Sequence, residues 1–245
     1  SSPATTLLSR SFNAPPAIAV GLVILAACPS GATANAYTFA SRADVPLCVT
    51  LSAITSVITV FTIPFLINLA LRTFSLEGQM AQLPILNMLI NLMTFTLIPL
   101  ILGMLIRYFY SAFSEKAVEP IRKVVLYVMM LVLLLGIVSS YDVLLENYKT
   151  VAILVVTMNL VTMAMGFGLA KLFKLPLTQV ITITFEVGVQ NLALSFAITF
   201  NILQRPDLAV AGLVYAVFMP ATALGFVSLA RRLMAKENAN SATAI

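Results

Sequence analysis

Residues 177–203 read LTQVITITFEVGVQNLALSFAITFNIL. One residue in this run is charged, Glu186. Wound as a helix at 1.5 Å per residue, the run measures ~40 Å, more than the ~30 Å of a bilayer's hydrocarbon core. Backbone groups in lipid must be bonded within their own segment, so the stretch reads as a membrane-spanning helix. Its middle is unusual: Phe185-Glu186-Val187-Gly188-Val189-Gln190-Asn191 places a carboxylate, a glycine and two amides at bilayer depth. An ionised carboxylate there costs about 2.5–3.5 kcal/mol on insertion scales, and a cation, a proton or a partner must offset that cost. No Lys or Arg lies mid-span anywhere in the chain. Two readings stay open: Glu186 binds an ion, or it is protonated and hydrogen-bonded to neighbouring helices.

A second apolar run, Pro15 to Ala40, is interrupted in a similar way by Cys28-Pro29-Ser30-Gly31-Ala32-Thr33-Ala34-Asn35. Pro29 lacks an N–H, and Gly31 tolerates backbone geometries that break a helix. Both interrupted runs place a Gly before a polar stretch ending in Asn. Paired interrupted spans point to a transporter binding site, because unwound backbone exposes carbonyl oxygens to a hard cation and half-helix N-termini to an anion. Asn35 and Asn191 are placed to bridge two such breaks.

Five further runs are long enough to span: Val45 to Leu71, Leu83 to Ile106, Val124 to Tyr141, Val151 to Ala170, and Leu208 to Ala230. Charges gather between them, in Arg72–Gln82, Ser111–Lys123, Asp142–Lys149 and Lys171–Pro176, and in the polar tail 233–245, where disorder is expected from Lys236 onward. With 60% hydrophobic and 9% charged residues the chain could not keep its surface in water, since soluble domains carry about 25% charged residues. The fold class is therefore all-α integral membrane, a multi-pass bundle in one transmembrane domain covering residues 1–245. If every run crosses, four of the fourteen basic residues fall on one side and ten on the other, which makes the second side and the C-terminus cytoplasmic. Residues 1–12 look like the end of a further helix. The chain opens at Ser1 and its first methionine is Met80, so a fragment is expected.

Other features have plainer readings. Cys28 and Cys48 pack as small residues. Pro99 kinks its span, and Ala164, Gly166, Gly168 and Ala170 give the small-residue spacing of helix packing. Asn159 either faces a substrate cavity or bonds another helix. The absence of histidine removes most zinc sites and most general-base catalysis, so an enzyme is not expected. No basic patch with interleaved aromatics suggests nucleic acid. The partners expected are the lipid bilayer, an ion and a small solute.

The break Cys28-Pro29-Ser30-Gly31 followed by Asn35, then Arg42 and Asp44 before a Thr/Ser-rich helix, resembles the bile acid:sodium symporter family. So does Glu186-Val187-Gly188-Val189-Gln190-Asn191. The resemblance runs from Pro3-Ala4-Thr5 to the last helix. It implies two inverted five-helix repeats, with core and panel domains, of which this chain holds the end of helix three and helices four to ten. It implies a symporter of a small organic anion, with Na⁺ as coupling ion and no other cofactor, in a bacterial inner membrane. One sodium site would use Asn35, Ser52 and Glu186, beside Ala34 and Cys48, where the family usually has hydroxyls. A methyl cannot bind Na⁺ and a thiol is a poor ligand for a hard cation, which leaves this site weakened, rebuilt with Thr33 or water, or lost. A second would use Glu186, Gln190 and the carbonyls of Val187 and Val189. Thr33 and Asn191, with Asn159 as a further candidate, would meet substrate. Met219-Pro220 stands where some relatives carry a His-Asn pair, so a bile acid does not follow. Still open are a proton-coupled carrier of the same fold and a truncated, inactive paralogue.

Overall fold

The computed structural model describes residues 15–74 and 85–243, and the expected helix end at residues 1–12 lies outside them. Among the described residues ten α-helices follow in order: α1 Pro16–Ala27, α2 Ala32–Ala40, α3 Val45–Thr73, α4 Ile85–Leu92, α5 Ile98–Phe109, α6 Ser111–Ser139, α7 Tyr141–Leu172, α8 Leu177–Gly188, α9 Leu192–Phe196 and α10 Val210–Thr243. A π-helical turn, Met93–Leu97, joins α4 to α5; another, Ala197–Ile202, extends α9, and a 3₁₀ turn, Pro206–Ala209, leads into α10. The protein is an all-α, multi-pass membrane protein. Among the described residues, four helices are long and apolar enough to cross a membrane, and two bent pairs bring the number to six. The remaining expected span is the unbroken helical run formed by α4, its π turn and α5.

The helices start and stop where side-chain chemistry dictates. Pro16 opens α1, a position where its missing N–H costs nothing. Asp44 caps α3, its carboxylate accepting from Leu47 N at 3.0 Å. Arg42 and Lys174 take positive φ just beyond α2 and α7, the left-handed conformation that ends helices. Pro99 is the second residue of α5, two positions after the π turn of Met93–Leu97 ends. Its ring and missing N–H spoil regular α bonding to the preceding turn, and the wider turn absorbs the mismatch.

Three stretches expected as loop or tail are helical. Ser111–Lys123 belongs to α6, Asp142–Lys149 belongs to α7, and the tail continues α10 as far as Thr243. Hydropathy marks where a helix leaves hydrocarbon, not where it ends. Residues such as Ala, Glu and Lys propagate a helix well in the headgroup layer and beyond. A kinked pair within α6, Ser111–Val118 and Lys123–Ser139, bends by 42° around Pro120.

The core forms around α1, whose Ile18, Val20, Leu22, Val23, Ile24 and Leu25 are all buried. One cluster joins α1 to α7, α8 and α10; a second joins it to α3, α4 and the segment 194–208. α8 is likewise buried, with Ile181 and Phe185 in the first cluster. By contrast α6 exposes Val124, Val125, Val128, Leu131, Leu134 and Leu135, apolar surface that suits hydrocarbon. Two deeply enclosed helices, α1 and α8, are thus the first halves of the two interrupted runs.

α1 meets the 3₁₀ turn at backbone distance: a Cβ at Gly21 would collide with the Leu208 carbonyl oxygen, whereas one at Gly103 would meet nothing within 4 Å. Gly21→Ala is expected to destabilise the purified protein by about 1–3 kcal/mol, as overpacking does. Gly103→Ala should leave stability unchanged or raise it by up to about 1 kcal/mol. Thermal melts of the two variants in detergent check this; matching melts would contradict the close approach.

Candidate ion and substrate site at the helix crossing

Pro29 and Gly31 end α1 and free the backbone before α2, and the pair bends by 63°. The second break falls at Val189–Asn191, between α8 and α9. The two breaks touch. Asn191 N donates to the Pro29 carbonyl at 2.9 Å, and a Cβ on Gly31 would lie 3.5 Å from Asn191 Cα. Asn191 also caps α9, its Oδ1 accepting from Leu194 N at 3.1 Å. Groups freed by one break thus satisfy groups freed by the other, as buried backbone requires.

Glu186 lies one turn before the second break, 9% exposed, with its carboxylate turned toward α3 and the first break. Oε1 accepts from Ser30 Oγ at 2.5 Å and Thr55 Oγ1 at 3.4 Å; Oε2 accepts from Ser52 Oγ at 2.9 Å and the Cys48 thiol at 3.4 Å. Ser30 and Ser52 lie 2.9 Å apart, oxygen to oxygen. Cys48 Sγ in turn accepts from Thr38 Oγ1 at 3.4 Å. Among the described residues no cluster of three or more His, Cys, Asp or Glu exists. The donor set is one carboxylate ringed by neutral hydroxyls, which suits a hard cation of low charge better than a transition metal. Asn35 Oδ1, in the first turn of α2, is buried without a hydrogen-bond partner, as are Ser41 Oγ and Thr96 Oγ1.

The carbonyl of Gly188, which ends α8, is held from two helices. It accepts from Asn159 Nδ2 of α7 at 2.8 Å and from Tyr215 OH of α10 at 2.5 Å. Asn159 Nδ2 also donates to Tyr215 OH at 2.9 Å, and Thr222 Oγ1 donates to Asn159 Oδ1 at 2.5 Å. A side chain at Gly188 would collide with Met163, so a glycine lets α7 approach here. Beside this clamp Gln190 Nε2 donates to the Val187 carbonyl at 3.3 Å.

Of the residues singled out from sequence, Ser52 and Glu186 meet directly, and Asn35 presents its unpartnered oxygen. Ala34 is buried and offers only a methyl. Gln190 and Val187 come together, and Val189 is buried beside them, but both Glu186 oxygens are engaged on the other side. Thr33 is exposed at the start of α2, and Asn191 is half-buried. Asn159 is 1% exposed; its Nδ2 donates to the Gly188 carbonyl and to Tyr215 OH, and its Oδ1 accepts from Thr222. Sequence reading missed Ser30, Thr55, Tyr215 and Thr222. Ser30 sits in the quoted break, and Thr55 follows Ser52 by three residues, on the same face of α3. For Tyr215 the only signal was a phenol in mid-span.

A family model described as the sodium bile acid symporter family matches residues 3–147, more than half of the chain. A rice protein described as a probable chloroplastic sodium/metabolite cotransporter, BASS2, is 27% identical over 225 residues, covering 91% of this chain and 51% of the relative. Mouse sodium/bile acid cotransporter 4 is also 27% identical over 225 residues, covering 90% and 51%. YocS of Bacillus subtilis, an uncharacterised sodium-dependent transporter, is 25% identical over 193 residues, covering 78% and 58%. The chain therefore spans about half the length of the curated relatives it matches. With both interrupted helices meeting at one carboxylate, and with the family model matched over more than half of the chain, the protein belongs to the sodium bile acid symporter family.

Proposed function

We propose that this chain carries the ion-binding crossing of a secondary transporter that couples Na⁺ entry to the uptake of a small organic anion. The observation that carries this reading is Glu186: a deep carboxylate, bonded only to neutral groups among the described residues, held where two broken helices cross. Sodium at Asn35, Ser52 and Glu186 would neutralise it. A second ion would use Gln190 and the carbonyls of Val187 and Val189. The relatives described as sodium-dependent support the choice of ion. Thr33, which is exposed, and Asn191, which is half-buried, are proposed to meet the carboxylate of the substrate.

In this reading sodium draws the two breaks together, substrate binds beside them, and a core domain rocks against a panel domain. The ten-against-four division of basic residues supports a cytoplasmic C-terminus. The proposed setting is a bacterial plasma membrane, in keeping with the Bacillus subtilis relative.

Glu186→Gln combined with Asn191→Ala, in the protein at its full natural length, should lower sodium-driven uptake into vesicles by at least about tenfold, the equivalent of ~1.4 kcal/mol of lost ligand binding. Intact sodium-driven uptake would sink the proposal. Tyr215→Phe removes one of the two donors holding the Gly188 carbonyl, a hydrogen bond contributing about 1 kcal/mol. Sodium affinity should then fall about fivefold with expression unchanged, and equilibrium binding of radioactive sodium measures it. An unaltered affinity would show that the clamp does not orient the neighbouring carbonyls.

A further inference from the structure

Three oxygen groups crowd together at the crossing: the Ser30 hydroxyl, the Ser52 hydroxyl and the Glu186 carboxylate. They make three close contacts, Ser30 to Glu186 at 2.5 Å, Ser52 to Glu186 at 2.9 Å and Ser30 to Ser52 at 2.9 Å. Each hydroxyl has one proton to give, and an ionised carboxylate has none. Two protons cannot satisfy three contacts. If both serines donate to Glu186, the Ser30–Ser52 contact sets lone pair against lone pair. If one serine donates to the other, its own contact with Glu186 is left bare. Ser30 is 5% exposed and Glu186 9% exposed, while Ser52 is half-buried.

A positive charge among these oxygens resolves the mismatch, carried either by a proton on Glu186, which supplies the missing donor, or by a cation that all three groups face with lone pairs; the sodium reading above takes the second. Thr55 Oγ1 lies 3.4 Å from the same carboxylate. Ala34 and Cys48, which flank the site, present a methyl and a thiol. The hard oxygens close to the carboxylate therefore come from the first break and from α3.

We propose that Ser30 is a direct ligand of the sodium ion, its hydroxyl standing in the first break where Ala34 supplies none. The inference rests on the sodium reading above and adds a donor to it. It gives the break a chemical role: Ser30 lies between α1 and α2, so an ion bound there ties the bend of that pair to α3 and α8.

Two variants test it in the protein at its full natural length. Ser30→Ala deletes the oxygen. Ser30→Cys keeps the size but replaces a hard donor with a soft one. Sodium is titrated into purified protein in a choline background, and thermal stabilisation and radioactive-sodium binding are read together. The expected result is a sodium midpoint shifted at least about tenfold higher in both variants, as losses around a metal commonly produce, with the melting temperature in choline alone nearly unmoved. A sodium midpoint equal to that of the unsubstituted protein in either variant overturns the proposal. So does a fall in melting temperature in choline with no shift of the midpoint, which would make Ser30 a hydrogen-bond donor only. If the unsubstituted protein itself ignores sodium, the sodium reading falls, and this inference falls with it.

Discussion

A carboxylate held in the interior of a membrane bundle by neutral groups alone, among the described residues, is the constraint around which the rest is arranged. Glu186 is kept by hydroxyls and a thiol from two other segments: Ser30 from the first break, and Ser52, Thr55 and Cys48 from α3. Neutral donors ease the cost of burying the charge but do not cancel it. Those neutral donors leave the charge of an ionised Glu186 uncancelled, and that is the physical ground for proposing a cation here.

The breaks in the two crossing helices follow from the same need. A continuous helix uses up its carbonyls and N–H groups in its own ladder. Pro29 and the Val189–Asn191 segment free some of them, and the freed groups are then paired across the crossing or clamped from outside. Asn191 N to the Pro29 carbonyl is the pairing; Tyr215 and Asn159 on the Gly188 carbonyl are the clamp. Both helices that carry breaks are deeply packed, which suits irregular backbone in a membrane protein, tolerated where it is buried in protein or lines a water-filled cavity.

Much of this was legible in the sequence, for reasons that can be named. Long apolar runs marked the helices, and the isolated charge of Glu186 marked the centre of the site. Proline and glycine within a span marked the breaks. What stayed hidden depended on three-dimensional neighbours. Ser30 stood in the quoted break with no role assigned to it, and only the approach of α8 shows it facing a carboxylate. Asn159 had two readings from sequence, and its 2.8 Å bond to the Gly188 carbonyl could not be foreseen from either. The helical state of Ser111–Lys123 and Asp142–Lys149 was missed because hydropathy reports the edge of the hydrocarbon, and helix bonding continues past it. The resemblance read from two short motifs agrees with the family model, although that model's match ends at residue 147, before the second motif.

The most direct measurement compares accumulation of labelled organic acids in vesicles carrying the protein at its full natural length, driven by an inward gradient of Na⁺, of K⁺, or of protons alone. Accumulation of an acid under the sodium gradient, absent under potassium and indifferent to the proton gradient, is the predicted result. Accumulation that follows the proton gradient and ignores sodium would contradict it, turning Glu186 from a sodium ligand into a proton carrier.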